Sequence, residues 1–199
     1  MQQKHLWNLE IDIVLASSSA FKKRLLENAG FVPSVCENAE IDEDVLPGET
    51  PEVYVGRVAL EKAKDVAKRY PHAFVLGADT VIVAKGQILR KSFSEQEARQ
   101  KLELLSGIQH VAMTGYAIIS PDGQICSKVV QTTVVLKELS PEEIEALLAS
   151  GEWKNVAAYK IEGMLSAVVK EVHGSYPNIV GLPVFHIAED LKEMVKRIK

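Results

Sequence analysis

Three well-separated segments of this 199-residue chain set chemistry-bearing residues against apolar strands: Ile13–Leu26 (IVLASSSAFKKRLL), Val75–Lys91 (VLGADTVIVAKGQILRK) and Ser175–Pro183 (SYPNIVGLP). In the first, Ser17, Ser18 and Ser19 offer hydroxyls and backbone amides where the apolar run gives way to a helix, and Lys22, Lys23 and Arg24 follow in its first turns. Free N–H groups and the helix dipole favour an anion at such a start. Cations there oppose the dipole, a cost that a bound polyanion would offset. In the second segment Gly77-Ala78-Asp79-Thr80 ends a run of apolar strand residues, which places the Asp79 carboxylate at a strand end. A carboxylate in that setting is paired, ligated or capping a turn, and it can hold a metal or take a proton from an attacking water. Lys91 follows after a hairpin. The third segment is so punctuated by glycine and proline that it reads as a connecting loop whose backbone matters more than its side chains. An anion site beside a carboxylate points to chemistry on a nucleotide or another phosphorylated small molecule.

The elements that must position these residues follow from local signals. Ile11–Ala16 reads as a buried strand leading through the serines into a helix from Ser19 to about Gly30, and Phe31–Cys36 as a second strand before the acidic stretch Glu37–Glu49. Thr50-Pro51 opens a long helix as N-cap and first-turn proline. Its apolar stripe is Val55, Val58, Ala59 and Val66, with Lys62 in the middle. A lysine that snorkels past the core, or pairs with a local carboxylate, accounts for that position as readily as a functional one. Val75–Ala84 is a strand turning at Lys85-Gly86 into Ile88-Leu89. Ser94–Glu97 and Ser140–Glu143 carry capping-box patterns, and Gly107 should end the helix that begins at Ser94. Between those two helix starts, Ile108–Ile119 and Ile125–Leu136 are long strands joined by a turn at Ser120-Pro121-Asp122-Gly123. A last helix from about Pro183 puts Val184, Ile187, Ala188, Leu191 and Ile198 on one face. The alternation predicts an α/β (α+β) fold: one domain over residues 1–199, with a mixed sheet flanked by helices and two lobes around a central cleft.

Composition narrows the partners. With 47% hydrophobic residues the chain can bury a sizeable core, and a net charge of -4 gives no global attraction to nucleic acid or an acidic membrane. Neither is an expected partner. No apolar run reaches the length of a membrane span, and the first residues lack a signal-peptide core, so a soluble cytoplasmic protein is expected. Cys36 and Cys126, far apart and outside any paired spacing, read as reduced thiols.

Assembled in order, these blocks resemble the Maf family of nucleoside triphosphate pyrophosphatases, relatives of the inosine triphosphatase-like fold. LASSSAFKKRLL is similar to the family's LASxSPRRxxLL. PGETPEVYVGRVALEKAKDVA resembles its lysine-bearing segment, GADTVIVAKGQILRK its GADTVV…GxxLxKP block and LSGIQHVAMTGYAI its LSGxxHxVxTG segment. AAYKIEG with HGSYPNIVGLPV resembles the C-terminal signature. The resemblance implies an elongated twisted sheet and a hydrolase acting on the anhydride between the α- and β-phosphates of modified or surplus nucleoside triphosphates, with a divalent cation (Mg²⁺, Mn²⁺ or Co²⁺) and as a possible homodimer. It implies that Asp79 is the proton acceptor, that Lys62 and Lys91 assist catalysis, and that Glu43 and Asp79 hold the metal. It further implies that Ser17, Phe21, Lys22, Thr80 and Glu162 bind substrate. The chain departs from the pattern at Ala20-Phe21-Lys22 for Pro-Arg-Arg, at Ser92 for proline and at Glu162 for glutamine. Positions 21, 80 and 162 are associated with base choice in the family. Phe21 and Glu162 suit a purine or a 7-methylguanine base and Thr80 a pyrimidine, which ranks 7-methyl-GTP or another purine above dTTP and UTP. The alternative is a nucleotide-binding regulator of cell division that no longer turns over.

Overall fold

The computed structural model describes residues 11–154, 156 and 158–198. The elements expected from local signals are largely present in its backbone, and one strand organises the rest. β1 (Ile13–Leu15), β2 (Val35–Cys36) and β3 (Phe74–Ala84) run parallel to one another. From β3 the sheet continues antiparallel through β5 (Gln109–Ile119), β6 (Ile125–Leu136) and β7 (Val169–His173), while β4 (Gln87–Leu89) pairs with the far end of β3. The order is thus β2-β1-β3-β5-β6-β7, a mixed sheet as expected. Lys85 and Gly86 join β3 to β4 with φ of 49° and 77°, the doubly left-handed geometry of a two-residue hairpin.

On one edge, then, β3 has two partners in succession. Phe74–Leu76 pair with β1 and Ile82–Ala84 with β4, so the stretch 77–81 between them is unpaired on that side. Asp79 and Thr80 lie in this gap. The opposite edge is continuously paired to β5 from Val75 to Val83, which holds the gap rigid.

α2 (Pro51–Ala67), capped by Thr50, lies over one face of the sheet. It approaches through two glycines: a Cβ at Gly77 would lie 2.2 Å from the Ala59 carbonyl oxygen, and one at Gly115 would lie 2.1 Å from that of Val55. Gly77→Ala is therefore expected to force α2 off the sheet, costing about 1–3 kcal/mol as overpacking, with a fall in thermal midpoint as the measurement. The other face carries two apolar clusters. One packs α1 (Ala20–Asn28) and α6 (Val184–Ile198) around Leu15, Leu76 and Ile118, and the other packs α3 (Glu95–Leu105) and α4 (Pro141–Ala149) around Ile82, Ala112 and Leu136. Between them runs a polar seam of Thr80, Thr114, Thr132 and Asn178. Asn178 belongs to α5 (Tyr176–Val180), and its amide nitrogen reaches Ala112 O at 3.1 Å, Val130 O at 3.2 Å and Thr132 Oγ1 at 3.0 Å.

Several local expectations are corrected. The first strand is only Ile13–Leu15 and the second only Val35–Cys36. Ser175–Pro183 is no plain loop: it contains α5, and a fully buried side chain, that of Asn178, ties it to the sheet. β7 had no expectation at all. Ser140 and Glu143 form the complete capping box, whereas Glu97 accepts from the Phe93 amide rather than from that of Ser94. In α6, Met194 and Val195 complete the buried face and Ile198 is exposed. Both cysteines are free thiols. No helix among the described residues is long and apolar enough to cross a membrane. The expectation that the first residues hold no signal-peptide core concerns residues 1–10, outside those described.

Candidate active site

The unpaired stretch of β3 floors a cleft of about 630 Å³ that separates the two apolar clusters. Because side chains alternate along a strand, Asp79 projects toward α2 and Thr80 toward α5. Asp79 meets Lys62 there: Nζ donates to Asp79 Oδ1 at 2.9 Å and to Glu43 Oε2 at 2.8 Å. The Lys62 side chain is only 11% exposed and that of Asp79 13%. Burial opposes the lysine's charge, but the two carboxylates outweigh it and hold the ammonium above its ordinary value. Lys62 thus does not snorkel past the core: it pairs with two carboxylates, one beside it on β3 and one on the segment before α2. The glycine-floored approach of α2 puts it within reach of the strand.

Glu43 lies on the irregular acidic segment before α2, and three side chains hold that segment in place. Tyr54 Oη donates to Glu43 O at 3.0 Å, Arg90 Nη2 donates to the same carbonyl at 3.0 Å, and Arg57 Nη2 donates to Asp44 O at 2.8 Å. None of these positioning residues stands out in the sequence, because each acts over a contact that no local pattern reveals.

On the other side of the gap, Lys22 fills the edge position that a neighbouring strand would occupy. Its Nζ donates to the carbonyl of Ala78 at 3.0 Å. Burial pushes this ammonium down to about 8, with Asp79 opposing the shift and Lys62 and Lys91 adding to it. The serine turn is arranged differently from expectation. The amide of Ser17 donates to Leu15 O at 2.8 Å, that of Ser18 to Asn38 Oδ1 at 2.9 Å and that of Ser19 to Ser17 Oγ at 3.2 Å. The serine amides are therefore engaged within the chain. What this turn offers an anion is its hydroxyls together with the first-turn amides of α1. Lys91, past the hairpin, lines the cleft from an exposed position.

Thr80 also lines the cleft, but its hydroxyl belongs to the polar seam, 2.9 Å from Thr114 Oγ1 and 3.2 Å from Gly181 O. Phe21 and Glu162 stand at the mouth. The Arg24 guanidinium lies 5.5 Å from the centroid of the Phe21 ring and also pairs with Glu162 Oε1. Lys160 Nζ sits 5.9 Å from the same ring. The segment carrying Lys160 and Glu162 leaves Ala158 at φ 100°, a strained conformation for a residue with a Cβ. Tyr159 anchors it, with its hydroxyl 2.6 Å from the buried His110 Nε2. Ser17, Phe21, Lys22, Glu43, Lys62, Asp79, Thr80, Lys91 and Glu162 thus line one cleft, with a lysine-rich end suited to phosphates and an aromatic, carboxylate-bearing end, whereas Lys23 and Arg24 are not among its lining residues.

With this geometry in view, a family model described as "Maf-like protein" matches residues 12–194. The chain belongs to the Maf family. A dTTP/UTP pyrophosphatase of Paramagnetospirillum magneticum is 44% identical over 89% of this chain and 94% of its own length, and one of Caulobacter vibrioides is 42% identical over 87% and 90%. A nucleoside triphosphate pyrophosphatase of Anaplasma phagocytophilum is 41% identical over 86% and 90%. Among solved structures, a HAM1 protein from Coxiella burnetii aligns over 94% of this chain and 99% of its own, with 17% identity and a TM-score of 0.46.

Proposed function

We propose that this Maf protein is a nucleoside triphosphate pyrophosphatase that hydrolyses the bond between the α- and β-phosphates. The observation that carries this reading is the Lys62–Asp79 pair at the unpaired stretch of β3, with Lys22 and Lys91 in the same cleft. Relatives at 44% and 42% identity, named for this activity, support it. Lys62 holds Asp79 Oδ1, which leaves Oδ2 to take the proton of a water. The water oxygen bonds to the α-phosphorus, the bond to the bridging oxygen breaks, and a nucleoside monophosphate and pyrophosphate leave. Lys22, Lys62 and Lys91 stabilise charge on the phosphate oxygens as it develops, while Ser17 and the start of α1 bind the phosphate chain.

Asp79 and Glu43 fit a hard divalent cation. Both are oxygen donors within 3 Å of one ammonium, so the position between them already accepts positive charge. Among the described residues no group of three or more metal-ligating side chains forms a cage, which suits an ion such as Mg²⁺ that completes its shell with water and substrate phosphates. When bound, such an ion would neutralise phosphate charge.

For the base we place dTTP and UTP ahead of the purines that sequence alone ranks first. Glu162 is engaged by Arg24 rather than free, and two of the relatives carry those nucleotides in their names. The cytoplasmic location expected from composition and a homodimer implied by the family resemblance complete this reading. The deciding assay supplies catalytic amounts of protein with ordinary and modified nucleoside triphosphates plus Mg²⁺, Mn²⁺ or Co²⁺, and measures pyrophosphate and monophosphate. Binding without turnover would favour the regulatory alternative, and release of orthophosphate would overturn the assigned bond.

Lys22 supplies a pH test. Its ammonium is charged below about pH 8 and lost above it, so kcat/KM, which reports the free enzyme, is expected to bend downward above that pH. Lys22→Arg installs a cation that does not deprotonate and should keep activity while removing the bend. A bend of unchanged position in an active Lys22→Arg enzyme assigns it to another group.

A further inference from the structure

We propose that Arg24 is a positioning residue for base selectivity, acting by occupying one oxygen of Glu162. This rests on the pyrophosphatase reading above and adds the residue that tunes it. Phe21 and Arg24 are three residues apart on α1 and therefore share a face of the helix. Arg24 bends over the Phe21 ring and crosses to the 158–163 segment, where it meets Glu162 Oε1. Glu162 and Phe21 line the cleft, whereas Arg24 is not among its lining residues. Its influence on a ligand is thus exerted through the carboxylate it holds.

The chemistry of the base edges gives that hold a consequence. Guanine presents two adjacent donors, N1–H and N2–H, and meets a carboxylate best side by side, with each oxygen turning a lone pair to one donor. Uracil and thymine present one, N3–H, beside carbonyl acceptors. With Oε1 oriented by Arg24, the side-by-side arrangement is hindered, and Oε2 is left to match the single donor of a pyrimidine edge while a guanine donor is poorly met. The pair is also neutral overall, so the extra attraction that a free carboxylate would give a cationic 7-methylguanine is absent. The same glutamate would therefore favour guanine without Arg24 and tolerate pyrimidines with it.

The test compares wild type, Arg24→Met, Glu162→Gln and the double variant. The readouts are kcat/KM for UTP, dTTP, GTP and 7-methyl-GTP, and dissociation constants for α,β-methylene analogues of UTP and GTP. Arg24→Met should raise the GTP-to-UTP ratio about tenfold or more, the scale of one hydrogen bond to a charged group, in both turnover and binding. In the Glu162→Gln background the same substitution should leave the ratio unchanged. An equal effect on all nucleotides, or a ratio change that persists without the carboxylate, overturns the proposal. If no triphosphate is turned over, the pyrophosphatase reading fails on its own, and the binding ratios still decide the role of Arg24. Melting curves of each variant separate selectivity from loss of fold; Arg24 is exposed and not part of the core.

Discussion

Asp79→Asn is expected to lower kcat by about 10²-fold or more while the protein stays folded, the loss that follows when a positioned general base is removed. The amide keeps the shape of the side chain, and its oxygen can still accept from Lys62 in the place of Oδ1, which now receives that bond at 2.9 Å. What disappears is the negative charge, and with it the ability to take a proton and to help hold a divalent cation. Because the lysines are untouched, KM at saturating metal should change far less than kcat, the pattern of an interaction made in the transition state. Single-turnover measurements with UTP, alongside thermal melts, check both parts. A folded Asp79→Asn enzyme with near-normal turnover would move proton acceptance to another group.

Lys62→Met is expected to cost about 10²–10³-fold in kcat, the scale seen when one preorganised charge-stabilising donor is lost, and to raise KM as well. Methionine preserves the apolar stem against α2 and the sheet but removes the ammonium that lies between Glu43 and Asp79. Two carboxylates then face one another without the cation, so stability should fall too, most at pH values where both are ionised. Lys91→Met is the control. That residue is exposed, so its charge is better screened by water and its replacement should cost less in kcat than that of Lys62. If Lys62→Met and Lys91→Met behave alike, the buried ion pair has no special part in turnover.

Much of the frame is written in local chemistry. Thr50-Pro51 and the Ser140–Glu143 box mark helix starts by satisfying first-turn amides, and the long β5–β6 hairpin shows in its apolar runs. Asp79 and Lys62 drew notice separately because each put a charge where an apolar residue was due. Their meeting could not be read, since it depends on how closely α2 approaches β3. The same limit hid Arg57 and Arg90, whose bonds reach the backbone of residues 43 and 44 across the fold. It also hid Asn178, which looked like part of a turn because its partners lie on β5 and β6. Thr80 lines the cleft from the face opposite Asp79, as the alternation of β3 dictates, but the pairing of its hydroxyl with Thr114 depends on β5 and does not show in the local segment.

The two glycines beneath α2 also bear on how the enzyme can move. A helix whose carbonyls rest directly on the backbone of two strands has no side-chain layer to slide over, so α2 and the central strand form a stator. Any opening and closing around a nucleotide falls to the opposite wall, where the backbone at Ala158 is already displaced from a relaxed conformation and one ion pair spans the entrance. Asp79 and Lys62 thus belong to one closely packed unit, and any movement on nucleotide binding is expected in the wall that carries Phe21 and Glu162.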